Sequence, residues 1–204
     1  ASTENRGRLA GVLLEDAQVR VSDLARDAVV EVESSDPVTV PGILAFLRGS
    51  PIAGLLGPTL ADVTGAGKVA ADVRLRVPVA TPQDYTVTGN FVAQGARLGL
   101  RGLDFGLTDL AGTIRLDGAT LTGDGLRGRF LDEPVQIGLR PAAADEPGVS
   151  HVATLTGETP VPKLAAAFSL PFPDRLGGRM AWAATARVPT RSPDSQLTIQ
   201  VASD

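Results

Sequence analysis

Gly67-Lys-Val-Ala-Ala-Asp-Val-Arg-Leu-Arg-Val-Pro78 is the stretch that decides the fold class. Val69, Ala71, Val73, Leu75 and Val77 alternate with Lys68, Asp72, Arg74 and Arg76, and only Ala70 is out of step. A period of two with β-branched residues on the apolar side predicts a strand with one apolar and one wetted face. The stretch has an echo. Gly178-Arg-Met-Ala-Trp-Ala-Ala-Thr-Ala-Arg-Val-Pro189 repeats it at an offset of 111 (178 − 67), keeping Gly, Ala, Arg, Val and Pro in register. At the same offset Pro82 meets Pro193 and Pro51 meets Pro162, which points to a repeating unit. On this reading residues 1–40 are strands trailing from a preceding unit. Residues 41–160 are one complete unit, short helices followed by an antiparallel meander, and 161–204 begin the next one, truncated.

The chain has 204 residues, enough for a sizeable core. Its 43% hydrophobic content marks it as globular, yet only 4% is aromatic, so Val, Leu and Ala must fill the apolar positions. Abundant Gly (23) and Pro (15) punctuate regular structure often. The net charge is −4, and the 17 Arg and 2 Lys are scattered, which argues against a nucleic-acid surface because that needs a concentrated basic stripe. Without cysteine there is no disulfide and no thiolate chemistry. No apolar run approaches the ~20 residues that span a bilayer. Strand-like sequence begins within the first residues, and Ile199-Gln-Val-Ala-Ser-Asp204 stops in mid-strand. The expectation is a piece of a longer protein, so the lack of a signal segment says nothing about the parent.

Short strands are expected at Leu9–Leu14, Gln18–Val21 and Val29–Glu33. Ile43, Leu44, Phe46 and Leu47 stand at helical spacing between Pro41 and Gly49. Ser50-Pro51 reads as the N-cap and first residue of a second short helix to Leu56, and its echo predicts helix over Pro162–Phe168. Strands then follow in quick succession: Gly67–Pro78, Tyr85–Ala93, Arg97–Leu103, Leu107–Asp117, Ala119–Leu121, Gly125–Phe130, Val135–Leu139 and His151–Thr156. Asp117-Gly118 and Thr122-Gly-Asp-Gly125 are hairpin signals. The expected fold is mainly β: a long twisted antiparallel sheet curled into an open groove, with short helices.

Chemistry-bearing constellations are missing from this pattern. His151, the single histidine, stands beside alternating Val152 and Thr154 and reads as a strand-surface residue. With one histidine and no cysteine, a zinc site would have to be built of carboxylates. Gly65-Ala-Gly67-Lys-Val-Ala70 superficially fits a dinucleotide fingerprint, but a strand follows it where the pyrophosphate needs a helix N-terminus. As a phosphate-binding loop it fails too, with Asp62 at the first glycine position and Val69 after Lys68. The acidic residues of Glu15-Asp16, Asp132-Glu133 and Asp145-Glu146 are adjacent, and neighbours on a strand point to opposite faces. No catalytic residue, metal site or cofactor is expected.

What remains is the apolar face. Val69, Val73, Leu75, Val77, Val87, Phe91, Leu98, Leu100, Ile114, Leu116, Val135 and Ile137 form one wall if their strands are neighbours. Either a second sheet covers that wall, as in an ordinary sandwich, or it lines a trough open to a ligand. Aliphatic side chains with few aromatics suit a surface that accepts flexible chains. At ~0.8 kcal/mol per methylene, ~30 methylenes of a two-chain lipid cost roughly 24 kcal/mol to expose to water, a barrier that a continuous apolar lining removes.

Phe46-Leu-Arg-Gly-Ser-Pro-Ile-Ala-Gly-Leu-Leu56, then Gly65-x-Gly67 and the alternation into Val77-Pro78, resembles the repeating unit of the YhdP branch of AsmA-like proteins, bridge-like lipid transfer proteins of the Gram-negative envelope. Tyr85-Thr-Val-Thr-Gly89, Leu110-Ala-Gly-Thr-Ile-Arg-Leu116 and Leu126-Arg-Gly-Arg-Phe-Leu-Asp-Glu-Pro-Val135 continue the likeness. It covers residues 41–140 well and 160–193 more loosely, where Ala184, Ala186 and Trp182 replace Val73, Leu75 and Ala71 in the echo. The resemblance implies a periplasmic segment of a parent anchored in the inner membrane, carrying phospholipid toward the outer membrane along a β-groove without chemistry of its own. It names phospholipid as partner, leaves room for other envelope proteins, and offers the twelve apolar positions above as candidate lining. The alternative is a scaffolding β module of the envelope with a closed core and no lipid binding.

Overall fold

The structure is a computed structural model that describes residues 7–9, 12–14, 18–22, 29–34, 37–49, 61–81, 84–169, 177–190 and 198–203. The helix expected over Ser50–Leu56 lies outside them, as do Pro82 and Pro193. In chain order the elements are β1 (Gly7–Leu9), β2 (Val12–Leu14), β3 (Gln18–Ser22), β4 (Val29–Ser34), β5 (Pro37–Thr39), α1 (Val40–Gly49), β6 (Val63–Ala66), β7 (Lys68–Pro78) and β8 (Thr86–Leu100). Then come β9 (Gly106–Asp117), β10 (Thr120–Phe130), β11 (Glu133–Pro141), β12 (Val149–Pro160), α2 (Val161–Ala167), β13 (Arg179–Pro189) and β14 (Thr198–Ser203). β1 and β2 pair only with each other among the described residues, where a single strand was expected.

All the other strands belong to one antiparallel sheet. Its order is β14-β13-β12-β11-β10-β9-β8-β7-β4-β3, with β5 beside β7 and β6 beside β8. Neighbours in sequence are mostly neighbours in space, as short turns demand of a meander. The sheet ends at β3 and β14 and does not close into a barrel. The open, mainly β architecture with short helices is therefore the one expected from the alternation.

Three boundaries differ from expectation, each for a local reason. Tyr85–Ala93 and Arg97–Leu103 merge into β8, because Gly95 (φ +79°) takes up a bulge between Gln94 and Ala96 instead of ending the strand. Thr122-Gly-Asp-Gly125 makes no hairpin: β10 runs through it, and Gly125 (φ +58°) sits in a register shift between Asp124 and Arg127. The hairpin between β10 and β11 turns instead on Leu131 and Asp132, both at positive φ (51° and 63°), which is the primed turn in non-glycine residues. Asp117-Gly118 does turn β9 into β10, with Gly118 at φ +57°.

Both helices lie at the same end of the sheet. The Val40 N–H donates to the Gly67 carbonyl at 3.0 Å, and the Val161 N–H donates to the Gly178 carbonyl at 3.1 Å. The first residue of each helix is thus tied to the glycine that opens the following strand. By this tie the helices correspond at an offset of 121 (161 − 40), whereas the strands correspond at 111 (178 − 67). By these ties Val40-Pro41 matches Val161-Pro162, while Ser50-Pro51, which the proline echo aligns with Pro162, lies outside the described residues. Thr39 caps α1, its Oγ1 accepting from the Gly42 N–H at 3.1 Å.

Candidate functional site: the apolar face of the sheet

Pairing in register puts paired residues on the same face, so the strand ladder shows which apolar side chains lie together. Leu75 pairs with Val87, and Val73 with Gly89, which pairs with Leu116, which pairs with Leu121. Ala71, Phe91 and Ile114 make the next row, and Val69 faces Ala93. Leu98 and Leu100 join them past the Gly95 bulge, opposite Gly65 and Val63. Across β11 and β12, Val135 pairs with Gly157 and Ile137 with Leu155. All twelve candidate residues thus stand on strands that are neighbours, on one face. Leu139, Ala153, Leu155, Ala184 and Ala186 extend that face across β11, β12 and β13. Of these only Ala184 and Ala186 were singled out in the sequence, and there as departures from the first copy.

Covering of this face is uneven. Val40, Leu44 and Leu47 of α1 pack into a cluster with Val69, Ala71, Val87, Phe91, Ala96, Leu110 and Leu116. Leu164 of α2 packs with Val135 and Trp182. Trp182 lies over Gly157, its Cζ2 3.4 Å from where a Cβ would stand there, and its Nε1 donates to the buried Thr159 hydroxyl at 2.9 Å. Half of the chain's eight aromatics meet around it: Phe130 against Trp182 and Phe105, and Phe105 against Phe168, with centroids 5.2–5.6 Å apart. Helices and rings therefore fill the face at the helix end. Among the described residues the only other sheet is the β1–β2 pair, whose β2 touches α1. Of the candidates, Val69, Val87, Phe91, Leu116 and Val135 are buried, and Val73, Leu75, Val77, Leu98, Leu100, Ile114 and Ile137 are half-exposed.

Ion pairs gather at two places, around Glu133 at the helix end of β11, in phase with Val135, and around Glu146, which Arg140 holds on the opposite face. Glu133 receives Lys163 at 2.9 Å and Arg179 at 3.0 Å, which hold its carboxyl below the ordinary value. Glu146 takes a two-pronged contact from Arg140 and the Ala143 N–H at 2.8 Å, which bring its pKa down to about 2. No cluster of metal-ligating side chains occurs among the described residues.

His151 is not a surface residue. It pairs with Pro141 and Val188 on the apolar face, is 4% exposed, and its Nε2 accepts from the Leu121 N–H at 2.9 Å. Burial lowers the imidazole pKa. The signal was present: His151 is in phase with Ala153 and Leu155, whereas Val152 and Thr154 belong to the other face.

The protein family described as "YhdP protein" matches residues 3–204 of this chain. No curated protein and no solved structure matches it. No described helix is long and apolar enough to cross a membrane.

Proposed function

The chain belongs to the YhdP family, and on that footing we propose that it is a segment of a lipid conduit, in which phospholipid moves between the inner and outer membranes of a Gram-negative envelope along the apolar face of the sheet. The family implies an envelope protein of AsmA-like type, whose members transport lipid and are not known as enzymes. The observation that supports the finer reading is the set of aliphatic side chains on the apolar face that keep partial exposure, Val73, Leu75 and Val77 of β7, Ile114 of β9 and Ile137 of β11. A broad apolar sheet face that keeps partial exposure suits a ligand or partner with flexible apolar chains. The mechanism is passive: acyl chains lie on the aliphatic side chains, and headgroups stay in water along the open side. An anchored parent would hold the segment in the periplasm.

The test is photo-crosslinking from position 75 in the parent protein, in its own envelope. Phospholipid should be captured there, and Leu75→Asp should stop transport while the protein stays folded. If position 75 captures no lipid in folded protein, the face meets only protein, and the scaffold reading takes its place.

A further inference from the structure

β10 is paired with β9 from Thr120 to Phe130, but with β11 only from Arg127 to Phe130. β11 meanwhile pairs with β12 as far as Pro141. The bulge at Gly125 bends β10 away, so the first half of β10 and the second half of β11 part company inside the sheet. No backbone ladder closes this seam. Side chains do: a Cβ on Gly123 would stand 2.4 Å from Leu126 Cδ1 and 3.1 Å from Leu139 Cβ, so these leucines pack directly over the glycine. The Leu121 N–H, which has no strand partner on that side, is taken by His151 Nε2, from β12.

An imidazole that accepts at Nε2 is neutral and carries its proton on Nδ1. Nδ1 is buried and has no hydrogen-bond partner among the described residues. The closed seam therefore satisfies one backbone donor while leaving one ring donor unmet, which favours closure less than a sheet ladder would. The charged groups of the surrounding elements give an imidazolium no support on this face. Arg115, Asp117 and Asp124 of β9 and β10, Arg140 of β11 and Arg187 of β13 are in register with the polar face, Glu146 of the loop before β12 is held there by Arg140, and Glu133, on the apolar face at the other end of β11, is taken by Lys163 and Arg179.

We propose that the β10–β11 seam is where the sheet parts to widen the apolar face for a phospholipid, and that the His151 Nε2–Leu121 N–H hydrogen bond is its latch. The purpose assigned to the opening rests on the conduit reading; the latch itself rests on the pairing pattern. Protonation removes the Nε2 lone pair, so acid opens the seam and neutral pH closes it.

The test uses the whole chain with vesicles of phosphatidylethanolamine and phosphatidylglycerol, wild type beside His151→Phe and His151→Gln. Phenylalanine keeps the volume without an acceptor, and glutamine keeps an acceptor. The Leu121 amide should lose about tenfold in exchange protection in His151→Phe and regain most of it in His151→Gln. A photo-crosslinker at Leu139 should capture several-fold more lipid in His151→Phe, with capture at Leu75 unchanged. Equal Leu121 protection in wild type and His151→Phe, with both folded by near-ultraviolet dichroism, overturns the latch. Unchanged capture at Leu139 while Leu75 takes lipid overturns the widening. Absence of lipid at both positions overturns the conduit reading, and with it the purpose of the opening, while the exchange result still judges the latch.

Discussion

Glycines and the side chains seated on them set how closely this sheet packs. At Gly157 a Cβ would stand 2.8 Å from Val135 Cγ1 and 3.2 Å from the Pro134 carbonyl, a backbone atom that has little room to move. Gly157→Ala should therefore cost about 1–3 kcal/mol, the range for overpacking, read as a lower urea midpoint with unchanged slope. The Trp182–Thr159 pair supplies a second prediction. Thr159 is fully buried, so Trp182→Phe leaves its hydroxyl without the indole and should destabilise by about 1–3 kcal/mol. Adding Thr159→Val removes the orphaned hydroxyl as well, so the double variant should recover much of that loss. Strict additivity in the cycle would mean that the hydrogen bond contributes nothing. Alternation alone leads to neither contact. It places Trp182 on the apolar face, but which glycine lies beneath it depends on the pairing of β12 with β13.

Whole elements were legible where their pattern is local. The spacing of Leu44 and Leu47 marks α1, and the alternation from Val69 to Val77 marks β7. Bulges were not legible, because each slips the period-two phase: apolar positions run Phe91, Ala93 and then Ala96, Leu98. A slip of that kind in one strand looks like a turn until its partner is known. The turn at Leu131-Asp132 escaped because neither residue is glycine, although both adopt the conformation that favours it. Asp132→Gly should raise stability by about 0.5–1 kcal/mol by relieving that strain, measured as a higher urea midpoint. The loop from β11 to β12 offers a prediction in pH. Glu146 has its pKa lowered from 4.5 to about 2 by Arg140 first and the Ala143 N–H second. A depressed carboxyl stabilises the fold above its unfolded value and loses that contribution as pH falls from about 4.5 to about 2. A carboxyl titration by nuclear magnetic resonance should show the low midpoint in wild type. Arg140→Gln should return it toward the ordinary value and free the Ala143 amide to exchange.

At the scale of the molecule, exposure along β7 differs from end to end, although Val87 and Leu116 beside its outer half are buried, and on the conduit reading that difference says where a lipid would run. Along β7, Val69 and Ala71 are buried under the cluster that α1 completes, and Val73, Leu75 and Val77 are half-exposed. α2, Phe130 and Trp182 occupy the same end of the face across β10 to β13. The open sheet was expected from its short alternating strands. The filling of one end by helices and rings was not, because it depends on how far α1 and α2 reach across strands distant in sequence. On the conduit reading an acyl chain on this face would lie at the end away from the helices. A crosslinker moved along β7 in the parent should capture phospholipid at positions 73, 75 and 77 and leave 69 and 71 blank. Capture should continue at Ala153 and Ala186, paired in β12 and β13. Truncating Leu44 and Leu47 of α1 to Ala should extend capture to 69 and 71, since those side chains belong to the cluster over them. Each truncation costs about 2–5 kcal/mol, so each is made singly and checked for folding. Uniform capture along β7 would mean that α1 does not bound the path. Capture confined to 69 and 71 would place the lipid beneath the helix and reverse the assignment of the open end.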